Sequence, residues 1–398
     1  MKGRDRILHA AVGTGILLFA GVIYGWSVLS VPIAADFPDA SGSRMSLTFT
    51  LSMVFFCTGG LAAGLLSSKT SLKIRMLLSA FLFGVGFWIT GAASDLGMLY
   101  LGYGVLCGTG AGFSYNTVMT VVPRHFPGRQ GMISGVLLMG FGAGSLAVGS
   151  AYSRFLSISA GNWRLAFWLL GGIIALLMIL GAVLLHMPEG TVLTKPGRQQ
   201  EHAETGGCAP AEMLRRTSFW LFFLWEVLIS IVGLSVISQS KPLTSGIGPD
   251  LPLGMIALLA GLISICNGFG RILFGAVFDK TGWKTTMLWI SGTAVTAGGI
   301  LTAALYMQSL PVLAVSYLLT GIAYGGGPTM CTAFTKYFYG ETYFAVNFQI
   351  VLLNLLPASF SGTLAGYLYD SSGGYFSMAA VLLVCSMLAV FLVFLIRK

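Results

Sequence analysis

Charged side chains in this sequence are almost confined to the short gaps between apolar runs of about 20 residues, the length at which a helix crosses a bilayer core. Only 9% of the residues are charged and 56% are hydrophobic, with a mean hydropathy of +0.85. A soluble domain carries about 25% charge, enough to build a hydrated shell. This chain of 398 residues has too little for that, so the solvent for most of its surface is lipid. A net charge of +9 on a soluble protein would suggest nucleic acid. Here the cations sit in loops and read as topology signals, so no nucleic-acid partner is expected.

The apolar runs predict an all-α membrane protein with helices over 8–33, 45–67, 74–94, 97–121, 130–156, 164–187, 217–240, 253–278, 285–307, 310–334, 342–369 and 375–396. Most connections are short. The exception, 188–216, contains Pro188, Pro196, Pro210, paired glycines and mixed charges, and reads as a polar cytoplasmic linker. It divides the chain into an N-terminal six-helix half, 1–187, and a C-terminal one, 217–398.

Counting cations tests the orientation. With a cytoplasmic N-terminus, 17 Lys and Arg residues fall on the cytoplasmic side and 4 outside (Arg44, Arg154, Arg164 and Lys241), with Arg271 left inside a span. Such an asymmetry orients a multi-pass protein in a cell inner membrane with both termini cytoplasmic. The basic segment Met1–Arg6 is followed by a run long enough to span, with no clear small-residue cleavage site, so it reads as part of a first helix.

An internal repeat supports the division. Gly64–Leu77 aligns without gaps on Gly275–Leu288, with Gly, Lys, Thr, Lys, Met and Leu recurring at an offset of 211 residues. Arg124-His-Phe-Pro-Gly128 is echoed by Lys336-Tyr-Phe-Tyr-Gly340. Repeated halves are a common way to build alternating access around a central site.

The second copy, Gly275-x-x-x-Asp279-Lys280-x-Gly282-x-Lys284, resembles the loop signature of the major facilitator superfamily. The first is degenerate, with Ser68 for the acid and Ser71 for the second glycine. The resemblance assigns this motif to the conformational switch. On physical grounds Asp279 is an anion at a helix C-terminus and should point at a neighbouring helix N-terminus or a basic loop residue. A narrower resemblance covers most of the chain. Gly108-Thr-Gly-Ala-Gly-Phe-Ser-Tyr115, Phe126-Pro-Gly-Arg-Gln-Gly131, Gly140-Phe-Gly-Ala-Gly-Ser145, Ser238-Gln-Ser-Lys-Pro242, Asn267-Gly-Phe-Gly-Arg271 and Tyr324-Gly-Gly-Gly327 are similar to the oxalate/formate antiporter and monocarboxylate transporter group. It implies transport of a small organic anion, with Arg271 binding its carboxylate.

Of the 35 charged residues, only Glu226 and Arg271 fall well inside spans. A charge there costs about 2.5–3.5 kcal/mol on insertion scales, so each is a functional candidate. At about 1.5 Å rise per residue, both lie roughly 12–14 Å deep in a ~30 Å core, on consecutive antiparallel helices. Arg271 offers a forked cation for a carboxylate; the alternative is a fixed ion pair with Glu226 or ties to backbone carbonyls. Asn267, four residues earlier on the same face, can donate to a substrate oxygen. Glu226 can carry a proton, and substrate on Arg271 would change the field at it. The alternative for Glu226 is a helix-packing or lipid-side position.

The resembled monocarboxylate transporters of eukaryotes carry an acid where this chain has Asn267. The resembled oxalate exchanger has a second cation in helix eleven, whereas Asn347–Pro357 here contains no Lys or Arg. One cation suits a monoanion better than a dianion. Gln349 and Asn354 remain as uncharged partners, or as interhelical hydrogen bonds. Tyr24, Tyr115, Asn116 and Tyr324 are candidate cavity groups, with helix packing as the alternative. Pro357 is expected to kink helix eleven.

The chain therefore reads as a secondary carrier of a small monocarboxylate, by proton symport or anion exchange, working as a monomer. A drug or sugar efflux carrier is a second reading, but helices one to six contain no buried acid. An enzyme or a transport-like sensor is a different class. His9, His125, His186 and His202 fall at span ends or loops, and the six cysteines form no CxxC or His/Cys cluster. No metal, cofactor or catalytic residue is expected.

Overall fold

The computed structural model describes residues 3–38, 40, 42–159, 161–188 and 207–397. The centre of the expected linker, 189–206, lies outside the described residues, as do Lys2 and Lys398. All described secondary structure is helical: α1 (Gly3–Ala20) and α2 (Trp26–Ala34) joined by a 3-10 turn, α3 (Gly42–Leu66), α4 (Leu72–Gly91), α5 (Leu96–Leu99) leading through a π-helical stretch, Tyr100–Cys107, into α6 (Gly108–Val121), α7 (Gln130–Ile158) and α8 (Trp163–Leu184). There follow α9 (Pro210–Arg215), α10 (Thr217–Ile247), α11 (Leu253–Met307), α12 (Leu310–Tyr339), α13 (Phe344–Leu352), α14 (Leu355–Ala358), α15 (Ser361–Ser372) and α16 (Phe376–Leu395).

Eleven described stretches are long and apolar enough to cross a membrane. One of them belongs to α11, whose 55 residues would extend about 80 Å as a single rod, far beyond a ~30 Å core. The rod is broken at Gly282, which has φ +80° and ψ 179°. Only a residue without a Cβ adopts that backbone readily. Two spans meet there, and the protein has twelve. Phe81, Leu176, Trp289 and Phe391 project outward and exposed, as lipid-facing side chains do.

Three boundaries differ from expectation. The seventh span runs to Ile247, because Pro242 is accommodated inside α10. The eleventh is more than kinked: turns at 353–354 and 359–360, either side of Pro357, divide it into α13, α14 and α15. The end of the expected linker is docked, not loose. The Cys208 amide donates to the Tyr339 carbonyl at 2.9 Å, and Met213 on α9 is fully buried.

The chain forms two compact units. One comprises Met1–Pro127, Gly140–Gly206 and Thr342–Ile350; the other comprises Gly128–Met139, Gly207–Glu341 and Val351–Lys398. Two short segments thus belong to the unit formed mainly by the opposite half of the sequence. In the first unit α4 lies against α8 and α3 against α6, around a core of Phe87, Tyr103 and Phe167. The buried Tyr103 hydroxyl donates to the Val22 carbonyl at 2.7 Å. In the second, α12 lies against α11 and α10, and Phe222 stacks on Phe334 with centroids 3.9 Å apart.

Candidate substrate and coupling sites

Arg271 is buried in the second unit, on the part of α11 that precedes Gly282. Its Nε donates to Asn267 Oδ1 at 3.1 Å, one turn earlier on the same helix. Its Nη1 donates to the carbonyl of Leu138. Nη2 makes no hydrogen bond among the described residues. Asn267 thus orients the guanidinium through its oxygen, which leaves its Nδ2 for an acceptor. This is a cation partly satisfied by neutral groups and, among the described residues, paired with no carboxylate.

Glu226 is 1% exposed on α10, so it faces protein and not lipid. Gly327 of α12 leaves room for the carboxyl: a Cβ there would lie 2.7 Å from Oε1. The Cys331 thiol lies beside the carboxyl, and Oε2 is left without a partner. Cys331 Sγ also accepts from Asn354 Nδ2 at 3.5 Å, while Asn354 Oδ1 is buried and unpartnered. No ion pair joins Glu226 to Arg271. Tyr324 is mostly buried in the same unit, and its ring fills the space that a side chain at Gly233 would take.

The remaining candidates lie in the first unit. Tyr115 stacks on Phe348, with centroids 5.9 Å apart, and contacts Phe56 and Phe141. Tyr24 meets Phe141 edge-on at 5.3 Å. Asn116 Nδ2 donates to the Ala345 carbonyl at 2.7 Å, leaving Oδ1 unpartnered. Gln349 is fully buried and neither atom of its amide finds a partner. A buried amide without partners costs about 1–3 kcal/mol and marks a place where a polar guest is stabilising.

Of the two partners its position allowed, a helix N-terminus or a basic loop residue, Asp279 reaches a helix N-terminus. Its Oδ1 accepts from the Gly131 amide and its Oδ2 from the Met132 amide, each at 2.9 Å, at the start of α7. These are two of the donors that a helix leaves unpaired at its first turn, where the dipole also favours an anion. Gly275 lets the backbones approach, since a Cβ there would be 2.2 Å from the Gly131 carbonyl oxygen. Lys280 and Lys284 are exposed.

Sequence reasoning did not single out Thr329 or Cys331. The signal that pointed to them was the run Gly325-Gly326-Gly327-Pro328, which marks close helix approach in the turn before them. It also kept the histidines apart, whereas three converge in the first unit. His9 Nε2 is 3.1 Å from His186 Nδ1, His125 Nε2 is 2.8 Å from the His186 carbonyl, and the His9 and His125 rings lie 4.1 Å apart. Among the described residues no group of His, Cys, Asp or Glu is arranged to hold a metal ion. His202 lies outside them.

Twelve spans, with buried charges away from the span ends and a carboxylate capping a helix at the loop between two spans, define a polytopic membrane transporter. A family model described as Major Facilitator Superfamily matches residues 12–353, and the chain belongs to that superfamily. It is 27% identical over 350 residues to an uncharacterised transporter of the same type, YhjX, from Escherichia coli (strain K12), covering 86% of this chain and 83% of that protein. It is 26% identical to the oxalate:formate antiporter of Oxalobacter formigenes, with 87% of this chain and 80% of that protein covered. Mouse monocarboxylate transporter 12 is 24% identical over 82% of this chain and 71% of its own length. The solved structure of the E. coli fucose:proton symporter FucP, in its N162A form, superposes with a TM-score of 0.73 at 14% identity over 99% of this chain and 100% of that one, a likeness of fold.

Proposed function

We propose that this transporter carries a small monocarboxylate across the cell inner membrane, with both termini cytoplasmic, by alternating access between its two repeated halves. The observation that carries the reading is Arg271: a buried guanidinium, held by Asn267 and a carbonyl, with Nη2 unbonded and no acid paired with it among the described residues. A carboxylate is the ligand that completes such a fork. The absence of Lys and Arg from 347–357 favours a single negative charge over two. The names of the relatives, an oxalate:formate antiporter and a monocarboxylate transporter, point to the same ligand class. Asn267, Tyr324 and Asn354 in the second unit, and Tyr24, Tyr115, Asn116 and Gln349 in the first, are the proposed neutral contacts. Glu226 is the proposed proton carrier, and Gly275, Asp279, Lys280, Gly282 and Lys284 the proposed switch. The orientation rests on the excess of Lys and Arg in alternate loops.

The test is uptake of labelled formate, acetate, lactate and oxalate by proteoliposomes, with and without a pH gradient. Arg271→Gln is expected to reduce uptake of the preferred monoanion at least about 100-fold, the scale of two lost charge-assisted hydrogen bonds. Stimulation by an inward-acid gradient indicates symport; exchange indifferent to the gradient indicates antiport. Wild-type uptake by the Gln variant, or no transport of any carboxylate, would sink the proposal.

A further inference from the structure

Arg271 and Glu226 share no ion pair or hydrogen bond, so direct contact does not couple an anion on one to a proton on the other, and a mechanical link can act beside the field between them. We propose that the 325–331 segment of α12 is that link, with Thr329 and Cys331 as positioning residues for the anion site and the proton site respectively. The inference rests on the monocarboxylate reading above.

Both charged residues are held against this one segment, on different faces. A Cβ on Gly325 would lie 2.2 Å from the Asn267 carbonyl oxygen and 2.9 Å from the Arg271 amide, so α11 and α12 are in backbone contact where the anion site sits. One turn later the Thr329 hydroxyl donates to the Arg271 carbonyl at 3.1 Å. Residues 327 and 331 form the second pair. Gly327 receives the Glu226 carboxyl, and the Cys331 thiol lies beside it on the same face of the helix. Two residues of offset turn an α-helix by about 200°, so the pairs point in nearly opposite directions. The same two turns of helix therefore support the arginine helix on one side and the buried carboxyl on the other.

The segment is built to deform. Pro328 lies at its centre inside α12, and without an N–H it donates no bond to the preceding turn. Three glycines precede it, so little side-chain packing resists bending. A shift of Arg271 toward an incoming carboxylate is transmitted through the Thr329 bond. Protonation of Glu226 changes what the thiol faces, from an anionic acceptor to a group that itself donates. Cys331 passes that change on to Asn354, two residues past α13 in the interrupted eleventh span. Each event alters the helix on which the other depends, without any charge pair between the sites.

The test uses the best transported of formate, acetate and lactate in proteoliposomes. Two readings are compared: exchange at equal pH, and uptake as a function of an imposed pH gradient. Thr329→Val and Cys331→Ala are expected to keep exchange within about threefold of wild type and to flatten the pH-gradient stimulation severalfold. Thr329→Ser and Cys331→Ser, which keep a donor, are expected to restore it. If Thr329→Val and Cys331→Ala show the wild-type pH profile while Arg271→Gln is inactive, the link is wrong and the anion reading stands. A parallel fall of both activities that serine does not restore also overturns the link. A wild type that moves no carboxylate, or whose uptake ignores the gradient, removes the link: the first result fails the anion reading as well, the second leaves it intact.

Discussion

The two copies of the repeated loop, Gly64–Leu77 and Gly275–Leu288, keep the same packing and differ in their electrostatics. In both, the leading glycine admits a neighbouring backbone: a Cβ would lie 2.5 Å from the Ala345 carbonyl oxygen at Gly64 and 2.2 Å from that of Gly131 at Gly275. In both, a threonine hydroxyl bonds back one turn, Thr70 to Leu66 at 2.8 Å and Thr281 to Val277 at 2.9 Å. Met76 and Met287 are both fully buried. The differences begin at the acid. Asp279 caps the start of α7, and its counterpart is Ser68. Gly282 breaks α11 with a positive φ, whereas Ser71 caps its own helix by accepting from the Ile74 amide at 3.3 Å. Thr286 bonds to the Gly282 carbonyl at 2.7 Å. The matching residue, Arg75, is buried with Nε and Nη1 unbonded and Arg124 as a like charge nearby. The comparison teaches that the glycine serves close approach in each unit, and that the helix-capping charge is a property of the second copy alone.

The shared feature is the most costly to break. Gly64→Val and Gly275→Val each force a side chain into backbone, and each is expected to cost about 1–3 kcal/mol or more, read as a lower Tm in detergent with loss of transport. A glycine that tolerated valine at the wild-type Tm would end the claim that the two positions are equivalent. The difference comes next in size. Asp279→Asn removes charge from two amide bonds and from the α7 terminus, a loss of about 1–3 kcal/mol, whereas Ser68→Ala is expected to stay within about 0.5 kcal/mol. Equal effects would show that the first copy carries a cap as well. The smallest effect is expected at Arg75. Replacing a buried and incompletely bonded cation with Met is expected to be neutral or stabilising by about 1 kcal/mol. A clear loss of Tm would show that the guanidinium has a stabilising partner in the folded protein.

Much of this comparison was legible in the residues. The gapless 211-residue repeat identified the loops, and the echo of Gly128 in Gly340 is matched by left-handed φ values of 79° and 75°. The twelve spans were legible because lipid demands apolar runs of a set length. The need for Asp279 to find a helix N-terminus or a basic loop residue followed from the dipole alone, but not which of the two, nor which helix. At Arg271 the residue type, depth and Asn267 one turn away were readable, since helical spacing is local. The Leu138 and Thr329 contacts were not, because they come from other helices.

The apolar runs, the loop cations and the two intramembrane charges determined a twelve-helix membrane protein with an arginine and a glutamate inside its spans. Those conclusions need only hydrophobic length, charge placement and helical rise, which act along the chain. Tertiary structure decided which way each charge faces. It placed Glu226 against Gly327 and Cys331 and away from Arg271, and it brought Thr329 under the arginine's backbone. It also broke the eleventh span on both sides of Pro357. The rotation of one helix against another is set by how side chains and glycines interdigitate across the contact, and that information is shared between distant segments of the chain.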